Sequence, residues 1–225
     1  MNYAERKRLH VELAEKHLAA DMLIKGTYGE TYGSFKGCSV GCLSHDIDPE
    51  RNDPHANVAE YFDYPEWLVR LQDTVFEGLP SPQDVQWHKQ IADALGRLPE
   101  DYDWQKAYHR VQIAILRVAH KHAGTSEEVV QQVIDLHELS ANGGAVDDAR
   151  TAARAAREAA EAAGEAAGEA AAWTVRAAAW TAGEAGWEAW EAAGEARSAG
   201  WEAGWAAAWE EIRDGVLATI SPDFK

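Results

Sequence analysis

The segment from residue 145 to residue 216 constrains the fold most, because alanine, glutamate, glycine and tryptophan dominate it and proline is absent. On a helix with 100° per residue, its large apolar side chains between Trp173 and Ile220 fall within an arc of about 120°. A disordered low-complexity segment would not keep this phase over so many residues. We therefore predict one long helix, or a helical hairpin, in this part of the chain.

The tryptophan stripe of this segment predicts an assembly surface. Glycine costs about 1 kcal/mol against alanine in a helix interior, so the glycines beside the stripe indicate close packing against another helix. An exposed stripe would be a large apolar patch, and a compact domain of the remaining residues is too short to cover a helix of about 70 Å. We expect a homo-oligomer, most simply a dimer, with five tryptophans at its interface: Trp187, Trp190, Trp201, Trp205 and Trp209.

The sequence pattern of residues 1–144 predicts a separate, small helical domain. Apolar residues recur at helical spacing in each apolar segment, starting with a first helix over residues 3–24. A Gly-rich stretch follows this helix, and we expect at most a short hairpin near Thr27–Phe35. The break at Asn142-Gly143-Gly144 marks the domain boundary, so residues 145–225 form the second region. The predicted fold class is all-α.

The charge of the chain excludes several partners. Lysine and arginine number 21 against 38 aspartates and glutamates, which gives a net charge of −17. A chain this acidic repels phosphate backbones, so we expect no nonspecific nucleic-acid binding. No apolar run is long enough for a membrane helix, and the charged N-terminus is unlike a signal peptide. Two cysteines cannot form a disulfide framework, so we expect a cytoplasmic, reducing location.

Two cysteines and two histidines in one Gly-rich loop form the first candidate site. Cys38, Cys42 and His45 have the spacing C-x3-C-x2-H, and His55 follows ten residues later. Two thiolates and two imidazoles are a sufficient tetrahedral set for zinc, so we predict that the four side chains cluster, with zinc as the possible cofactor. The simpler alternative is a pair of small buried cysteines in a turn, with both histidines hydrated.

A reactive cysteine is another interpretation of the same loop. Lys36 precedes Cys38 by two residues and could lower the pKa of its thiol, with a histidine as the base. Asp73 and Glu77 lie one turn apart on a predicted helix, so their carboxylates share a face. They could act as acid and base or as auxiliary metal ligands, or they could form a solvated flank. No companion catalytic motif accompanies these residues.

The glycines around Lys36 do not form a phosphate-binding loop, because the Gly-Lys-Ser/Thr sequence and a preceding strand are both missing. Tyr28, Tyr32 and Phe35 lie in the same stretch and could stack on a nucleobase. Packing of these rings against the helical core is the simpler explanation. A protein that sequesters a nucleotide-like ligand is therefore one of the hypotheses that the sequence leaves open.

Several motifs in the first half of the chain occur in one combination. Lys36-Gly-Cys-Ser-Val-Gly-Cys42 precedes a histidine, then Pro65-Glu-Trp-Leu68, then Phe76-Glu-Gly-Leu-Pro80, and an Ala/aromatic-rich helical tail follows. With these motifs the chain resembles a family of uncharacterised proteins from phage, prophage and bacterial genomes, over residues 36–80 and in the style of the tail. Its tail contains more glycine than the tails of that family. The family has no established activity, so the resemblance implies no catalytic residue.

The resemblance implies a phage or mobile-element context, in which small acidic accessory proteins bind and neutralise host components. Our leading hypothesis is therefore a non-catalytic binding protein that assembles through its tryptophan-rich helix and contacts a protein partner. The alternative is a metal- or cysteine-dependent enzyme that uses Cys38, Cys42, His45 and His55. The sequence leaves open whether the protein is an enzyme.

Overall fold

The computed structural model describes residues 1–32, 34–121, 127–144 and 199–221. Within these ranges the chain forms eight helices and a two-stranded hairpin, which confirms the predicted all-α class. In chain order the elements are α1 (Tyr3–Ala19), β1 (Glu30–Tyr32), β2 (Ser34–Lys36), α2 (Ser39–Ile47), α3 (Pro54–Phe62), α4 (Glu66–Gly78), α5 (Gln83–Gly96), α6 (Trp104–His120), α7 (Glu127–Ala141) and α8 (Ala199–Thr219).

Side-chain caps set where the helices of the N-terminal part begin. The side chain of Asn2 accepts a hydrogen bond from the amide of Glu5, whose carboxylate accepts the amide of Asn2, both at 2.9 Å. This reciprocal pair is a capping box. Asp53 caps α3 through its side-chain oxygen. The sulfur of Cys38 caps α2 by accepting the amide of Gly41 at 3.3 Å. The start of α2 is therefore fixed at a residue that sequence analysis selected for its chemistry.

The first helix is shorter than predicted. It ends at Ala19 rather than near residue 24, because Asp21 adopts a left-handed conformation with φ 51°. The amide of Met22 then turns back to the carbonyl of His17 at 3.1 Å. This reversal directs the chain into the loop that precedes the hairpin, where β1 and β2 pair antiparallel with Thr31 opposite Phe35.

The described chain divides into two compact units. Met1–Tyr102 forms the first unit together with residues 220–221, and the described residues between Asp103 and Thr219 form the second. In the first unit α1 packs on α5, α2 packs on α3, and α4 packs on both α3 and α5. Its core is a set of fully buried apolar side chains from α2 to α5: Val40, Leu43, Val58, Phe62, Phe76, Trp87, Ile91 and Leu95.

The turn between β2 and α2 depends on two glycines. A Cβ on Gly41 would lie 2.0 Å from the carbonyl oxygen of Tyr28, and one on Gly37 would lie 2.7 Å from the same atom. The amide of Cys38 donates to the carbonyl of Thr27 at 2.8 Å in the same place. Any side chain at the two glycines would push this loop away. The glycines of the Gly-Cys motif therefore hold the Tyr28 loop against the first turn of α2.

In the second unit, α6 packs against both α7 and α8. The α6–α7 contact is apolar and includes Ile113, Leu116, Val130, Val133 and Ile134. On α8, a Cβ at Gly215 would lie 3.1 Å from the Cβ of Ala114, so the glycine permits a close approach of the two helices. Trp209 is only 6% exposed within a single chain. The burial of this tryptophan, which we predicted at a dimer interface, therefore needs no second copy.

The remaining predictions for the tryptophan segment fall outside the described residues. This holds for Trp187 and Trp190, for the side chains of Trp201 and Trp205, and for residues 145–198 of the predicted long helix. The helix α8 covers Ala199–Thr219. The domain boundary at residue 144 and the dimer stay predictions. Among the helices that the structure describes, none combines the length and the hydropathy that a membrane span requires.

Candidate metal centre

Cys38, Asp73 and Glu77 come together in the first unit. Each contributes one ligand atom, and the three atoms lie within 4.8 Å of one another. Asp73 and Glu77 lie on α4, one turn apart as their spacing predicts, while Cys38 caps α2. Cys38 is 2% exposed and Asp73 is 9% exposed, whereas Glu77 lies at the edge and is partly exposed. We call these three residues the acidic cluster.

The two oxygens of Asp73 have different surroundings. Oδ2 lies 3.1 Å from Nε2 of His55 and accepts its hydrogen bond. Oδ1 is buried and has no hydrogen bond of good geometry, although the Cys38 thiol and the Tyr28 hydroxyl both face the carboxylate. Leaving a buried acceptor without a partner costs about 1–3 kcal/mol. Oδ1 is therefore the atom of the cluster that most needs a ligand.

Burial and negative charge change the pKa values in the cluster. Burial, with the nearby Asp73 carboxylate adding to it, raises the pKa of the Cys38 thiol far above its usual range. The same two causes raise the pKa of the Tyr28 hydroxyl. Burial also raises the pKa of Glu77, although the amide of Gly26 opposes this. With only protein groups around it, the thiol of Cys38 is protonated at neutral pH, which does not favour a reactive thiolate.

Cations near the acidic cluster do not pair with it. Lys25 forms its ion pair with Asp84 at 3.5 Å. The carboxylate of Glu77 accepts the backbone amide of Gly26, at 3.1 Å to each oxygen. Across the described ranges of the chain, no ion pair joins a lysine or arginine to Asp73 or Glu77. The negative charge of the cluster is therefore not offset by a paired lysine or arginine in the described residues.

Cys42 and His45, predicted as metal ligands, make other contacts. The thiol of Cys42 lies 3.5 Å from the carbonyl of Met22 and 3.4 Å from that of Gly37, and donates to both. Burial raises the pKa of this thiol to about 11. The ring of His45 stacks on Phe35, with ring centroids 3.8 Å apart. Both residues thus hold the hairpin and α2 together, and neither belongs to the acidic cluster.

Lys36, predicted as an auxiliary residue, also makes a different contact. It pairs with Asp21 at 2.8 Å and is not among the groups that lower the pKa of the Cys38 thiol. The structure therefore separates the predicted site residues into two groups. It brings four of them into one set of contacts: Cys38, His55, Asp73 and Glu77.

A second polar cluster lies beside the first, and sequence analysis did not predict it. Gln72 Nε2 donates to the hydroxyl of Ser39 at 2.7 Å, and this hydroxyl lies 2.7 Å from Nδ1 of His88. Nε2 of His88 lies 3.1 Å from Nδ1 of His17, whose Nε2 lies 3.0 Å from Asp46. We call these five residues the histidine relay. His17 and His88 are 71 residues apart, so no local spacing indicates their contact.

The residues at the two ends of the histidine relay determine which atom donates in each of its hydrogen bonds. The carboxylate of Asp46 only accepts and the amide nitrogen of Gln72 only donates. His17 therefore donates from Nε2 to Asp46, His88 donates from Nε2 to His17, and the Ser39 hydroxyl donates to Nδ1 of His88. Both imidazoles are neutral in this arrangement. Burial favours these neutral imidazoles, because it lowers the pKa of His17 and lowers the pKa of His88 well below its usual value.

Gly37-Cys38-Ser39-Val40-Gly41 has the Gly-x-Ser-x-Gly pattern that places the nucleophile of many serine hydrolases between a strand and a helix. The pattern lies between β2 and α2. Ser39, however, is fully buried, and its hydroxyl is bonded within the relay. The structure therefore gives Ser39 a structural contact and not the exposed position of a nucleophile.

Comparison with protein-family models, with curated proteins and with solved structures found no match to this chain. The resemblance to the phage and prophage family therefore stays a prediction. The function has to be argued from the chemistry of the acidic cluster.

Proposed function

We propose that this protein binds a divalent transition-metal ion, zinc in the first place, at the acidic cluster. The observation that carries the proposal is the buried Oδ1 of Asp73, which has no hydrogen bond of good geometry although its carboxylate lies beside a cysteine sulfur and a second carboxylate. An ion in this place would supply the missing partner of Oδ1. It would also offset the charge of Glu77 and of the Cys38 thiolate.

Electrostatics favour a cation in this position. Full negative charges on the carboxylates of Asp73 and Glu77, whose ligand atoms lie within 4.8 Å of each other, would repel by about 3 kcal/mol at an effective dielectric constant of ~20. A bound divalent ion turns this repulsion into attraction and deprotonates a coordinating thiol. A cluster that only stabilised the fold would gain more from apolar side chains of similar volume. The arrangement therefore supports a ligand-binding role over a purely structural one.

The donor atoms support zinc over the hard cations. Magnesium and calcium prefer shells made only of oxygen, whereas a thiolate is a ligand for zinc and similar ions. The reducing cytoplasm that we predict would keep this thiol available. Three protein ligands leave one position of a tetrahedral zinc site open, as in catalytic zinc sites. We therefore propose that an exogenous group completes the site, either a bound partner's side chain or a substrate.

The leading hypothesis from the sequence, a binding protein of phage or mobile-element origin, is compatible with this metal site and stays a proposal. An ion with an open position can hold a partner as readily as it can activate water. The nucleotide-sequestering alternative has less support, because Phe35 already stacks on His45. Dimerisation through Trp187, Trp190, Trp201 and Trp205 is a separate proposal, and light scattering of the full chain tests it.

Cobalt(II) titration of the chelator-treated full-length protein tests the metal proposal. We expect one equivalent to bind, with a thiolate-to-cobalt charge-transfer absorption that zinc abolishes by competition. Cys38→Ser should remove this absorption, and Asp73→Asn should weaken binding strongly. Cys42→Ser is the matched control, because the Cys42 thiol donates to backbone carbonyls outside the cluster.

Two results would overturn the proposal. Wild-type protein that binds neither cobalt nor zinc would show that the cluster holds no transition metal. A charge-transfer absorption that persists in Cys38→Ser and disappears in Cys42→Ser would place the ion elsewhere in the chain.

A further inference from the structure

We infer that His55 is a positioning residue of this metal site and not one of its ligands, an inference that rests on the proposed function. The spacing of the Gly-rich loop predicts His55 as one of the ligands. In the structure its Nε2 lies 3.1 Å from Oδ2 of Asp73, and both side chains are buried. Nε2 is therefore already bonded to the carboxylate, and neither ring nitrogen of His55 belongs to the group of ligand atoms that lie within 4.8 Å of one another. The other oxygen of the same carboxylate is the one without a hydrogen bond of good geometry.

The orientation of the His55 ring is fixed from two sides. His55 lies in the first turn of α3, which begins at Pro54 and is capped by the side chain of Asp53. The ring of Tyr28 meets the imidazole edge-on, with centroids 5.4 Å apart and an interplanar angle of 83°. A ring held by its backbone and by an aromatic neighbour keeps its N–H in one place. It can therefore hold the Asp73 carboxylate in one orientation.

The chemical role follows from the geometry of a carboxylate. A donor on Oδ2 prevents the carboxylate from rotating and leaves Oδ1 free for the ion. In many zinc sites the order is reversed, with histidine on the metal and a carboxylate behind it. Here the carboxylate of Asp73 would be the ligand and His55 the group behind it. Removing such an outer partner typically lowers metal affinity by about 10–100-fold.

Substitutions at position 55 distinguish a positioning role of His55 from direct coordination of the ion. His55→Leu removes the donor, and we expect it to weaken cobalt affinity by about 10–100-fold while the charge-transfer absorption at saturation stays that of the wild type. His55→Gln keeps a side-chain N–H at a similar reach to Nε2, and we expect it to restore most of the affinity. His45→Gln is the matched control, because His45 stacks on Phe35 and lies outside the cluster.

X-ray absorption at the metal edge gives the independent readout. We expect no imidazole scattering from the ion in wild-type protein or in His55→Gln. An imidazole in the coordination shell that disappears in His55→Gln would overturn the inference by making His55 a ligand. Unchanged affinity in a folded His55→Leu variant would also overturn it. If His55→Leu does not fold, the affinity and edge spectrum of His55→Gln decide. Wild-type protein that binds no ion would instead contradict the proposed function, so the two failures are distinct.

Discussion

The acidic cluster and the histidine relay are two buried polar clusters built on neighbouring residues. They differ in how completely their hydrogen-bonding groups are paired. Cys38 and Ser39 are adjacent at the start of α2, and Gln72 and Asp73 are adjacent on α4. In the relay, donors and acceptors alternate in one direction, and both imidazoles are neutral. In the cluster, a thiol and two carboxylates face one another, and the buried Oδ1 of Asp73 has no hydrogen bond of good geometry.

This difference is the reason why we propose a ligand for the acidic cluster and none for the histidine relay. A fully satisfied buried network supports a single arrangement of its helices and needs nothing further. An unsatisfied buried polar group is rare in folded proteins and calls for an explanation. The relay therefore explains how α1, α2, α4 and α5 are joined, and the acidic cluster is the place where the first unit can bind something.

The largest effect that we expect is a loss of stability at acid pH, because the buried histidines of the first unit must stay neutral. Burial lowers the pKa of His10 to about 3 and lowers the pKa values of His17 and His88. The unfolded chain therefore binds protons that the folded chain does not. The stability from these groups is complete above pH ~6.5 and is lost as the pH falls towards the folded-state pKa values.

The free energy of unfolding should fall by up to about 1.4 kcal/mol per pH unit for each such histidine as the pH decreases. Urea unfolding at pH 7, 6 and 5 measures it. His10→Phe should reduce the slope, because it removes a fully buried histidine whose pKa is lowered to about 3, and a slope that is unaffected by this change would contradict the assignment. Metal binding at the acidic cluster should weaken in the same direction as the pH falls, since a metal ion must compete with protons for its three groups.

The second effect is stabilisation by metal, which should involve the acidic cluster and leave the relay unchanged. Zinc at a thousandfold excess over its dissociation constant should raise the free energy of unfolding by about 4 kcal/mol. Thermal melting with and without zinc measures the change. Cys38→Ser should abolish the increment, and Cys42→Ser should retain it. An equal increment in both variants would show that zinc binds outside the cluster.

Part of the proposed metal site could be predicted from the sequence. The spacing of Asp73 and Glu77 placed both carboxylates on one face of α4, because helical spacing is a local property. The loop motif also selected Cys38 as a candidate ligand, and the structure places its sulfur near both carboxylates. The pairing of Cys38 with α4 could not be predicted, because it joins residues more than thirty positions apart. Which helix packs there is decided by tertiary contacts that one sequence does not show.

The prediction for Cys42 and His45 used only local spacing, and local spacing left their contacts open. Cys42 lies one turn after Cys38 in α2, so the two sulfurs need not share neighbours. The Cys42 thiol donates to backbone carbonyls of the preceding loop, and the ring of His45 stacks on Phe35 of β2. Both contacts depend on how the hairpin folds over α2, which the Gly-rich sequence permits but does not specify.

The third effect concerns the relay itself. His88→Leu removes a neutral imidazole, so that the proton of the Ser39 hydroxyl loses its acceptor and Nδ1 of His17 loses its donor. We expect a loss of about 2 kcal/mol in stability, since each unsatisfied buried group costs about 1–3 kcal/mol. The double variant with His17→Leu should lose less than the sum of the two single variants, because the two residues share one network. Strict additivity in urea unfolding would mean that the relay does not act as a unit.

The smallest effect tests whether the two clusters are independent although their residues are adjacent. Ser39→Ala removes the hydroxyl that accepts from Gln72 and donates to His88. We expect a loss of about 1 kcal/mol in stability, because alanine is a good residue for the first turn of a helix and offsets part of the lost hydrogen bonding. Cobalt affinity should stay within about threefold of wild type, a change below 1 kcal/mol, because the Cys38 sulfur and the Asp73 carboxylate keep their own contacts. A tenfold loss of affinity would show that the bond between Gln72 and Ser39 sets the distance between Cys38 and Asp73. The relay would then be part of the metal site, and the separation of a satisfied cluster from an unsatisfied one would no longer hold.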